Sequence, residues 1–193
     1  IRRDLDLLRS STSEAMGETT RSNPASHDTP IDDALYVALE DHFRGDQPTI
    51  RARQMQYIPL AGEHSTPEFP LVDFGCGRGE WLEICREHGV PARGVDSNEV
   101  AVGECLTKGL QVELGDLVEV LRSTPDGSLG AVTFFQVFEH LPFPTLLDVL
   151  RSCLRVLRTG GILIAEVPNS ETLLVGASTF WIDPTHQRPL HPE

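Results

Sequence analysis

The fold of this chain is decided by the stretch Asp73-Phe74-Gly75-Cys76-Gly77-Arg78-Gly79-Glu80. An apolar run that predicts a buried strand leads into it, and a helical pattern begins at Glu80. Three glycines at alternate positions remove side chains from this strand-to-helix turn, so the backbone can approach a ligand closely. The following helix offers free N–H groups and the positive end of its dipole. The stretch therefore predicts a ligand-binding glycine loop.

Short strands and longer helices alternate beyond this loop. Strands are predicted at residues 71–74, 92–95, 110–114, 129–135 and 162–167. The helix before the last strand begins at Pro144, and its pattern places on one face Leu147, Leu150, Leu154 and Leu157. Such alternation indicates a parallel sheet covered on both faces, and right-handed crossovers make it a doubly wound, three-layer α/β fold.

The residues before the first strand divide into two predicted segments. Residues 1–30 contain almost no large apolar side chains over their second half, so we interpret this segment as a flexible linker. Residues 31–69 predict a helical cap, with one helix over 31–44, a second from Pro48 to residue 58, and a loop over 61–69. The α/β core then occupies residues 70–193.

Acidic residues follow the second and third predicted strands. Asp96 lies about 20 residues beyond the glycine loop, which is the spacing at which nucleotide-binding folds place a ribose-binding carboxylate. Ser97 follows it, can cap the next helix, and is assigned to the same site. Asp116 can accept a hydrogen bond from an adenine amine. Together these strand ends predict adenosine recognition.

The glycine spacing distinguishes two kinds of cofactor. Dinucleotide enzymes carry G-x-G-x-x-G, whereas this chain has G-x-G-x-G, with Asp73 two positions before the first glycine. This spacing resembles motif I of class I S-adenosylmethionine-dependent methyltransferases. The resemblance continues in one register from Pro70 to Asn169. It includes Asp96, Gly115-Asp116, Phe135-Gln136-Val137-Phe138-Glu139-His140-Leu141 and Leu154-Arg155-Val156-Leu157-Arg158-Thr159-Gly160-Gly161.

The resemblance implies a Rossmann-like methyltransferase core with S-adenosylmethionine as its cofactor. It assigns the methionine part to Gly75, Gly77 and Gly79, the ribose to Asp96, and the adenine to Asp116 with Leu117. Gln136 would flank the cofactor beside the methyl acceptor. Members of this class usually have seven strands, and because the sequence predicts fewer, the remaining strands are expected after Glu193.

Glu139 and His140 are the first candidates for catalysis, because they follow the fourth strand where the cleft should open. Either can act as general base for a hydroxyl acceptor, and the alternative is that the pair only orders its loop. Some quinone-type O-methyltransferases have a metal near this position. Here the earlier acid is replaced by Gln136, a poor metal ligand, so no metal is predicted.

A second group of candidates lies beyond the fifth strand. The segment Asp183-Pro184-Thr185-His186-Gln187-Arg188-Pro189 resembles one in bacterial methyltransferases associated with surface-glycan clusters. By that resemblance Asp183, His186 and Arg188 shape the acceptor site, with His186 as a candidate base, and Trp181 is a candidate substrate contact. The alternative is a loop held by its own hydrogen bonds, with Trp181 as a lid or core residue.

The composition of the chain limits the classes of partner and the location that we expect for the protein. The chain has 16 basic and 29 acidic residues, a formal net charge of −13, which disfavours nucleic acid. No apolar run is long enough to span a bilayer, and no signal peptide is visible, so a cytoplasmic location is predicted. The chain begins with Ile1, so further domains are expected in a longer polypeptide. Free, buried thiols are predicted for Cys76, Cys85, Cys105 and Cys153.

The sequence thus predicts an S-adenosylmethionine-dependent methyltransferase that O-methylates a small-molecule or saccharide acceptor. Two other classes remain open: a non-catalytic cofactor-binding module of a longer protein, and an NAD(P)-dependent enzyme. The position of Gly79 argues against the dinucleotide enzyme. Formation of the demethylated cofactor product would separate the catalyst from the non-catalytic module.

Overall fold

The computed structural model describes residues 47–191, so the predicted linker and first cap helix lie outside the described residues. The helices are α1 (Gln47–Gln54), α2 (Ile58–His64), α3 (Glu80–Glu87), α4 (Glu99–Thr107), α5 (Leu117–Ser123), α6 (Phe143–Val156) and α7 (Leu173–Ala177). The strands are β1 (Leu71–Phe74), β2 (Ala92–Asp96), β3 (Val112–Leu114), β4 (Leu129–Phe135) and β5 (Leu157–Glu166). Short 3₁₀ helices cover Met55–Tyr57, Phe138–His140 and Thr179–Ile182.

The five strands form one sheet in the order β3-β2-β1-β4-β5, and every pairing is parallel. The chain runs outward from β1 through β2 to β3 and then returns to the other side of β1 as β4. The strand order therefore reverses between β1 and β4, and a doubly wound sheet binds its ligands beyond the carboxyl ends at such a reversal. The prediction of a doubly wound parallel sheet is confirmed.

The central strands are buried on both faces, which explains their continuous apolar sequence. On one face, the rings of Phe74 and Phe134 stack with centroids 5.4 Å apart. On the other, Trp81 meets Phe135 edge to face at 5.4 Å. All four cysteines are free and buried, as predicted. Among the described residues, no helix has the length and apolarity needed to cross a membrane.

Three local predictions are wrong. Leu157 was predicted to lie on the helix before the last strand, but that helix ends at Val156 and β5 begins at Leu157 rather than at residue 162. The face of α6 that packs against the sheet carries Leu146, Val149, Cys153 and Val156, whereas Leu154 on the predicted face is 79% exposed. Both sets of residues are apolar at helical spacing, so periodicity does not tell them apart. The predicted loop over 61–69 begins as helix, because α2 continues to His64 and buries Ala61 completely.

Candidate active site

The glycine loop is held in one conformation by backbone geometry. Gly75, Gly77 and Gly79 have φ angles of 71°, 51° and 82°, in the left-handed region that favours glycine. The N–H groups of Gly75 and Cys76 both donate to the carbonyl of Val95, at 2.8 and 3.2 Å, which ties the loop to the end of β2. A Cβ atom at Gly75 would lie 2.5 Å from Val137, so this position has room only for glycine.

Asp96 is fixed by the same loop. One carboxylate oxygen accepts a hydrogen bond from the Gly77 N–H at 2.7 Å, and the other accepts from the Asn98 N–H at 2.8 Å. Each oxygen of a carboxylate can accept two hydrogen bonds, so these two contacts leave acceptor capacity for a pair of hydroxyls. Asp96 therefore keeps the chemistry required of a ribose-binding residue.

Side-chain caps position the two helices that follow β2 and β3. Asn98, not Ser97, caps α4, since its side-chain oxygen accepts from the Ala101 N–H at 3.0 Å. Asp116 caps α5, since its Oδ1 accepts from two backbone N–H groups at 2.9 and 3.0 Å. Both bonds of Asp116 use one oxygen, which leaves Oδ2 for a ligand donor.

Seven predicted cofactor residues surround one cavity of about 190 Å³ at the carboxyl ends of the strands. They are Gly75, Gly77, Asp96, Ser97, Asp116, Leu117 and Gln136. Asp73 and Gly79 do not line this cofactor cavity. Asp73 is 2% exposed and accepts a 2.6 Å hydrogen bond from Thr133, so it lies under the loop. A Cβ atom at Gly79 would meet Cys105 and Leu110, which places this glycine behind the loop as well.

A larger cavity of about 660 Å³, the acceptor cavity below, has Phe135, Gln136 and His140 in common with the cofactor cavity. Its wall brings together Gln136 and His140 with three further predicted site residues, Glu139, Asp183 and His186. The segment after β5 reaches this wall because the Gln187 N–H donates to the Glu139 carbonyl at 2.7 Å. Both candidate groups from the sequence therefore meet at one place.

A chain of hydrogen bonds fixes the imidazole of His140. The Thr185 hydroxyl donates its only proton to Asp183 at 2.6 Å and so can only accept from His140 Nδ1, which lies 2.8 Å away. Nδ1 therefore carries the proton of the neutral ring, and Nε2 keeps a lone pair. Burial, and then the neighbouring imidazole of His186, lower the pKa of His140 to about 4. The ring is accordingly neutral near pH 7.

This low pKa predicts how acid affects folding. The unfolded chain, in which a histidine has a pKa near 6.5, binds the proton more readily between about pH 6.5 and 4, so the free energy of unfolding falls as the pH falls through that window. In His140→Gln this contribution disappears. We measure the free energy of unfolding with urea at pH 7 and at pH 4.5. Between these two pH values we expect it to fall by about 2 kcal/mol less in the variant than in the wild type. Equal losses would contradict the low pKa.

His186 is oriented in the same way. Its Nδ1 lies 2.6 Å from the Phe180 carbonyl, which can only accept, so the proton is on Nδ1 here too. Its ring meets the ring of His140 edge to face with centroids 4.7 Å apart. Glu139, His140 and His186 each offer one ligand atom, and these atoms lie within 4.8 Å of one another. The three side chains could therefore hold a metal ion, a convergence that the separate sequence segments did not reveal.

Two predicted substrate contacts lie away from the acceptor cavity wall. The indole N–H of Trp181 donates to the Gly176 carbonyl at 3.0 Å, and the side chain is 56% exposed. The guanidinium of Arg188 covers the ring of Phe143, 4.3 Å from its centroid. Each has a structural contact of its own, so neither is included among the acceptor residues proposed below.

Glu166 was missed by the sequence analysis although it ends β5 beside Gln136. Its carboxylate accepts from Tyr57 at 3.1 Å and from the Gln136 amide at 3.3 Å, and it lines the acceptor cavity. Gln136 has a φ of 59°, the one left-handed non-glycine residue in the described part of the chain, so its backbone is strained between the two cavities. Because parallel sheets bind ligands at the carboxyl ends of their strands, the position of Glu166 at the end of β5 could have identified it from the sequence.

A glycine loop, a carboxylate at each of the next two strand ends and an adjoining polar cavity define an adenosine-type cofactor site with room for a second reactant. The chain belongs to the methyltransferase domain family whose sequence pattern matches residues 36–189. The predicted cofactor, S-adenosylmethionine, is thereby confirmed, and the dinucleotide alternative is not supported.

Named relatives agree with this family. The chain is 30% identical over 143 residues to a probable S-adenosylmethionine-dependent methyltransferase of Mycolicibacterium smegmatis, covering 73% of this chain and 53% of the relative. It is 31% identical over 125 residues to the ubiquinone biosynthesis O-methyltransferase of Methylococcus capsulatus, covering 60% and 49%. The crystal structure of a SAM-dependent methyltransferase from Archaeoglobus fulgidus superposes with a TM-score of 0.75 at 36% identity, covering 81% and 68%. This chain therefore spans about half to two thirds of the length of these proteins.

Proposed function

We propose that the protein transfers a methyl group from S-adenosylmethionine to a hydroxyl of a small-molecule or saccharide acceptor. The observation that carries the proposal is the acceptor cavity, because it adjoins the cofactor cavity and has His140 in common with it. A hydroxyl held there would lie between a bound cofactor and an imidazole whose Nε2 lone pair is available. The ubiquinone relatives are O-methyltransferases by name, which agrees with an oxygen acceptor.

The lining of the acceptor cavity favours a neutral, hydroxyl-rich acceptor. Glu166 and Asp183 supply carboxylate oxygens that accept hydrogen bonds, and Phe180 and Ile182 supply apolar surface. Sugar rings present both hydroxyl donors and apolar C–H faces, so a saccharide matches both kinds of surface. The link to surface glycans itself rests on the resemblance of residues 183–189. The cytoplasmic location stays a prediction.

In the proposed mechanism the cofactor, when bound, supplies an electrophilic methyl group at its sulfonium. Asp96 and Asp116 hold the ribose and adenine, and the glycine loop accommodates the methionine part. His140 Nε2 would accept the proton of the acceptor hydroxyl as that oxygen takes the methyl group, whose C–S bond breaks to leave S-adenosylhomocysteine. Thr185 and Asp183 keep the proton of the imidazole on Nδ1, which leaves Nε2 unprotonated.

Calorimetric titration with S-adenosylhomocysteine tests the cofactor half of the proposal. We expect micromolar binding by the wild type, no binding of NADH, and affinity weakened about thirtyfold in Asp96→Ala, because two charge-assisted hydrogen bonds to the ribose are lost. Asp148→Ala is the matched control, since Asp148 is an exposed carboxylate on α6 paired with Arg151. Equal binding by the wild type and Asp96→Ala would contradict the assigned role of Asp96.

Transfer of tritiated methyl groups to a panel of neutral saccharides and hydroxylated aromatics tests the catalytic half. Incorporation into one member supports the proposal. Cofactor binding without incorporation into saccharides, phenols or an acceptor extract would favour the non-catalytic module instead.

Chelation tests the expectation that transfer needs no metal. The cluster of Glu139, His140 and His186 offers too few oxygen ligands for Mg²⁺, although two imidazoles and one carboxylate are a ligand set that Zn²⁺ accepts. The proposed mechanism places the proton on His140 and uses no metal. We therefore expect the rate of transfer to stay within about twofold after EDTA treatment and desalting. A loss that Mn²⁺ or Zn²⁺ restores would assign a metal to this cluster and overturn the expectation.

A further inference from the structure

Two buried thiols lie together beneath the glycine loop. Cys76 belongs to the loop and is 3% exposed, and Cys105 belongs to α4 and is fully buried. The Cys105 thiol donates to the Gly77 carbonyl at 3.2 Å, and the Cys76 thiol lies 3.9 Å from the same oxygen. Both sulfurs therefore lie against one carbonyl oxygen, and the neighbouring Cys76 thiol affects the pKa of Cys105. Thus two thiols from different elements meet under one peptide of the cofactor site.

We propose that Cys76 and Cys105 are an oxidative modification site, at which a reversible disulfide weakens cofactor binding. The inference rests on the cofactor-binding half of the proposed function. Oxidants of the diazene class, such as diamide, supply the chemistry. The Cys105 thiolate adds to the N=N bond, the Cys76 sulfur displaces the hydrazine from the sulfur of that adduct, and the two thiol hydrogens end on the two hydrazine nitrogens.

A disulfide would act on binding through Gly77. The Gly77 N–H holds one oxygen of Asp96 at 2.7 Å, and Gly77 follows Cys76 directly in the chain. The Cys76 thiol fits against β2 only because residue 94 is glycine, since a Cβ there would lie 2.6 Å from the sulfur. Forming a bond to Cys105 draws Cys76 out of this packing and carries Gly77 with it. The ribose-binding carboxylate then loses its support from the loop.

The surroundings make Cys105 the attacking thiol of the pair. The hydrogen bond from Cys76 and the nearby charge of Lys108 lower the pKa of Cys105. The Lys108 ammonium is anchored at the loop, where it donates to the Arg78 carbonyl at 2.8 Å. A lowered pKa and a neighbouring cation favour the thiolate, which is the reactive form of a cysteine. Cys76 resolves the adduct because its sulfur lies against the same carbonyl oxygen as the sulfur of Cys105.

The other two cysteines provide matched controls. Cys85 and Cys153 are buried as well, and burial raises the pKa of each, to about 12 for Cys153. Neither lines the cofactor cavity. Burial alone therefore does not predict oxidation, whereas the shared position of Cys76 and Cys105 at the Gly77 carbonyl does.

The test compares reduced and diamide-treated protein, using the full chain. Oxidation of the wild type should remove two hydrogens by intact mass, give a Cys76–Cys105 peptide on mapping, and weaken S-adenosylhomocysteine binding at least about tenfold, with recovery in dithiothreitol. Cys105→Ser and Cys105→Ala should bind in both states, whereas Cys85→Ser should lose binding like the wild type. Bound S-adenosylhomocysteine should slow disulfide formation, because it holds the loop closed over the thiols.

The outcomes separate the two proposals. Reduced wild type that fails to bind S-adenosylhomocysteine contradicts the proposed function and removes this inference with it. Reduced protein that binds, together with oxidised protein that binds equally well, overturns the inference alone. A disulfide that maps to Cys85 or Cys153 overturns it as well.

Discussion

Replacing Gly130 by alanine is expected to lower the free energy of unfolding by about 3 kcal/mol. Gly130 lies near the start of β4, where the end of α2 and the chain after it cross the strand. A Cβ atom at this position would overlap the carbonyl oxygen of His64 and lie 2.5 Å from that of Phe69. Backbone carbonyls cannot rotate away as side chains do, so either α2 or the strand must move.

The matched control is Gly103→Ala in the interior of α4. A Cβ atom there meets nothing within 4 Å, and alanine is the better helix former. We expect this variant to gain about 0.5 to 1 kcal/mol. Urea unfolding followed by circular dichroism measures both variants. A Gly130→Ala protein within about 0.5 kcal/mol of the wild type would show that the contact with α2 can relax at little cost.

The fold around the glycine loop could be predicted because its signals are local. Each strand of the core is a short apolar run, and β1 and β4 were predicted with the bounds that the structure has. In a parallel sheet the ends of such strands lie on one edge, so Asp96 and Asp116 could be assigned to one cavity without coordinates. The glycine spacing made the prediction of the cofactor more specific, because it differs from the spacing in dinucleotide enzymes.

Other features of the fold and the site could not be predicted, because they depend on contacts between residues far apart in the sequence. Leu147 and Leu154 on α6 are as apolar as the residues that it buries, so only packing against the sheet decides which of them are exposed. Trp181 and Arg188 lie in the predicted acceptor segment, yet their own contacts with Gly176 and Phe143 keep them off the cavity wall. The meeting of His140 with Thr185 depends on the docking of the last segment. Such contacts join residues far apart in sequence, and no spacing rule reports them.

His140→Ala is expected to lower the rate of methyl transfer by about a hundredfold, the lower end of the range for loss of a general base, because a pKa of about 4 makes the imidazole a weak base. The reason is position: His140 lines both cavities, and its Nε2 is the unprotonated nitrogen. Affinity for S-adenosylhomocysteine should change little, because Asp96 and the glycine loop are untouched. The measurement is tritium transfer to the acceptor found in the panel, with calorimetry of the same samples.

Three further variants distinguish a base from a residue that only orders its loop. His88→Ala, an exposed histidine at the end of α3, should transfer at the wild-type rate. Thr185→Val removes the hydroxyl between His140 and Asp183, so it should slow transfer about tenfold and shift the acidic limb of the pH profile. If His186→Ala loses more activity than His140→Ala, the base is His186; full turnover in His186→Ala removes His186 from catalysis. If His140→Ala keeps the wild-type rate and pH profile, the pair Glu139-His140 has only a structural role. Removal of an imidazole that accepts the reacting proton would change both the rate and its dependence on pH.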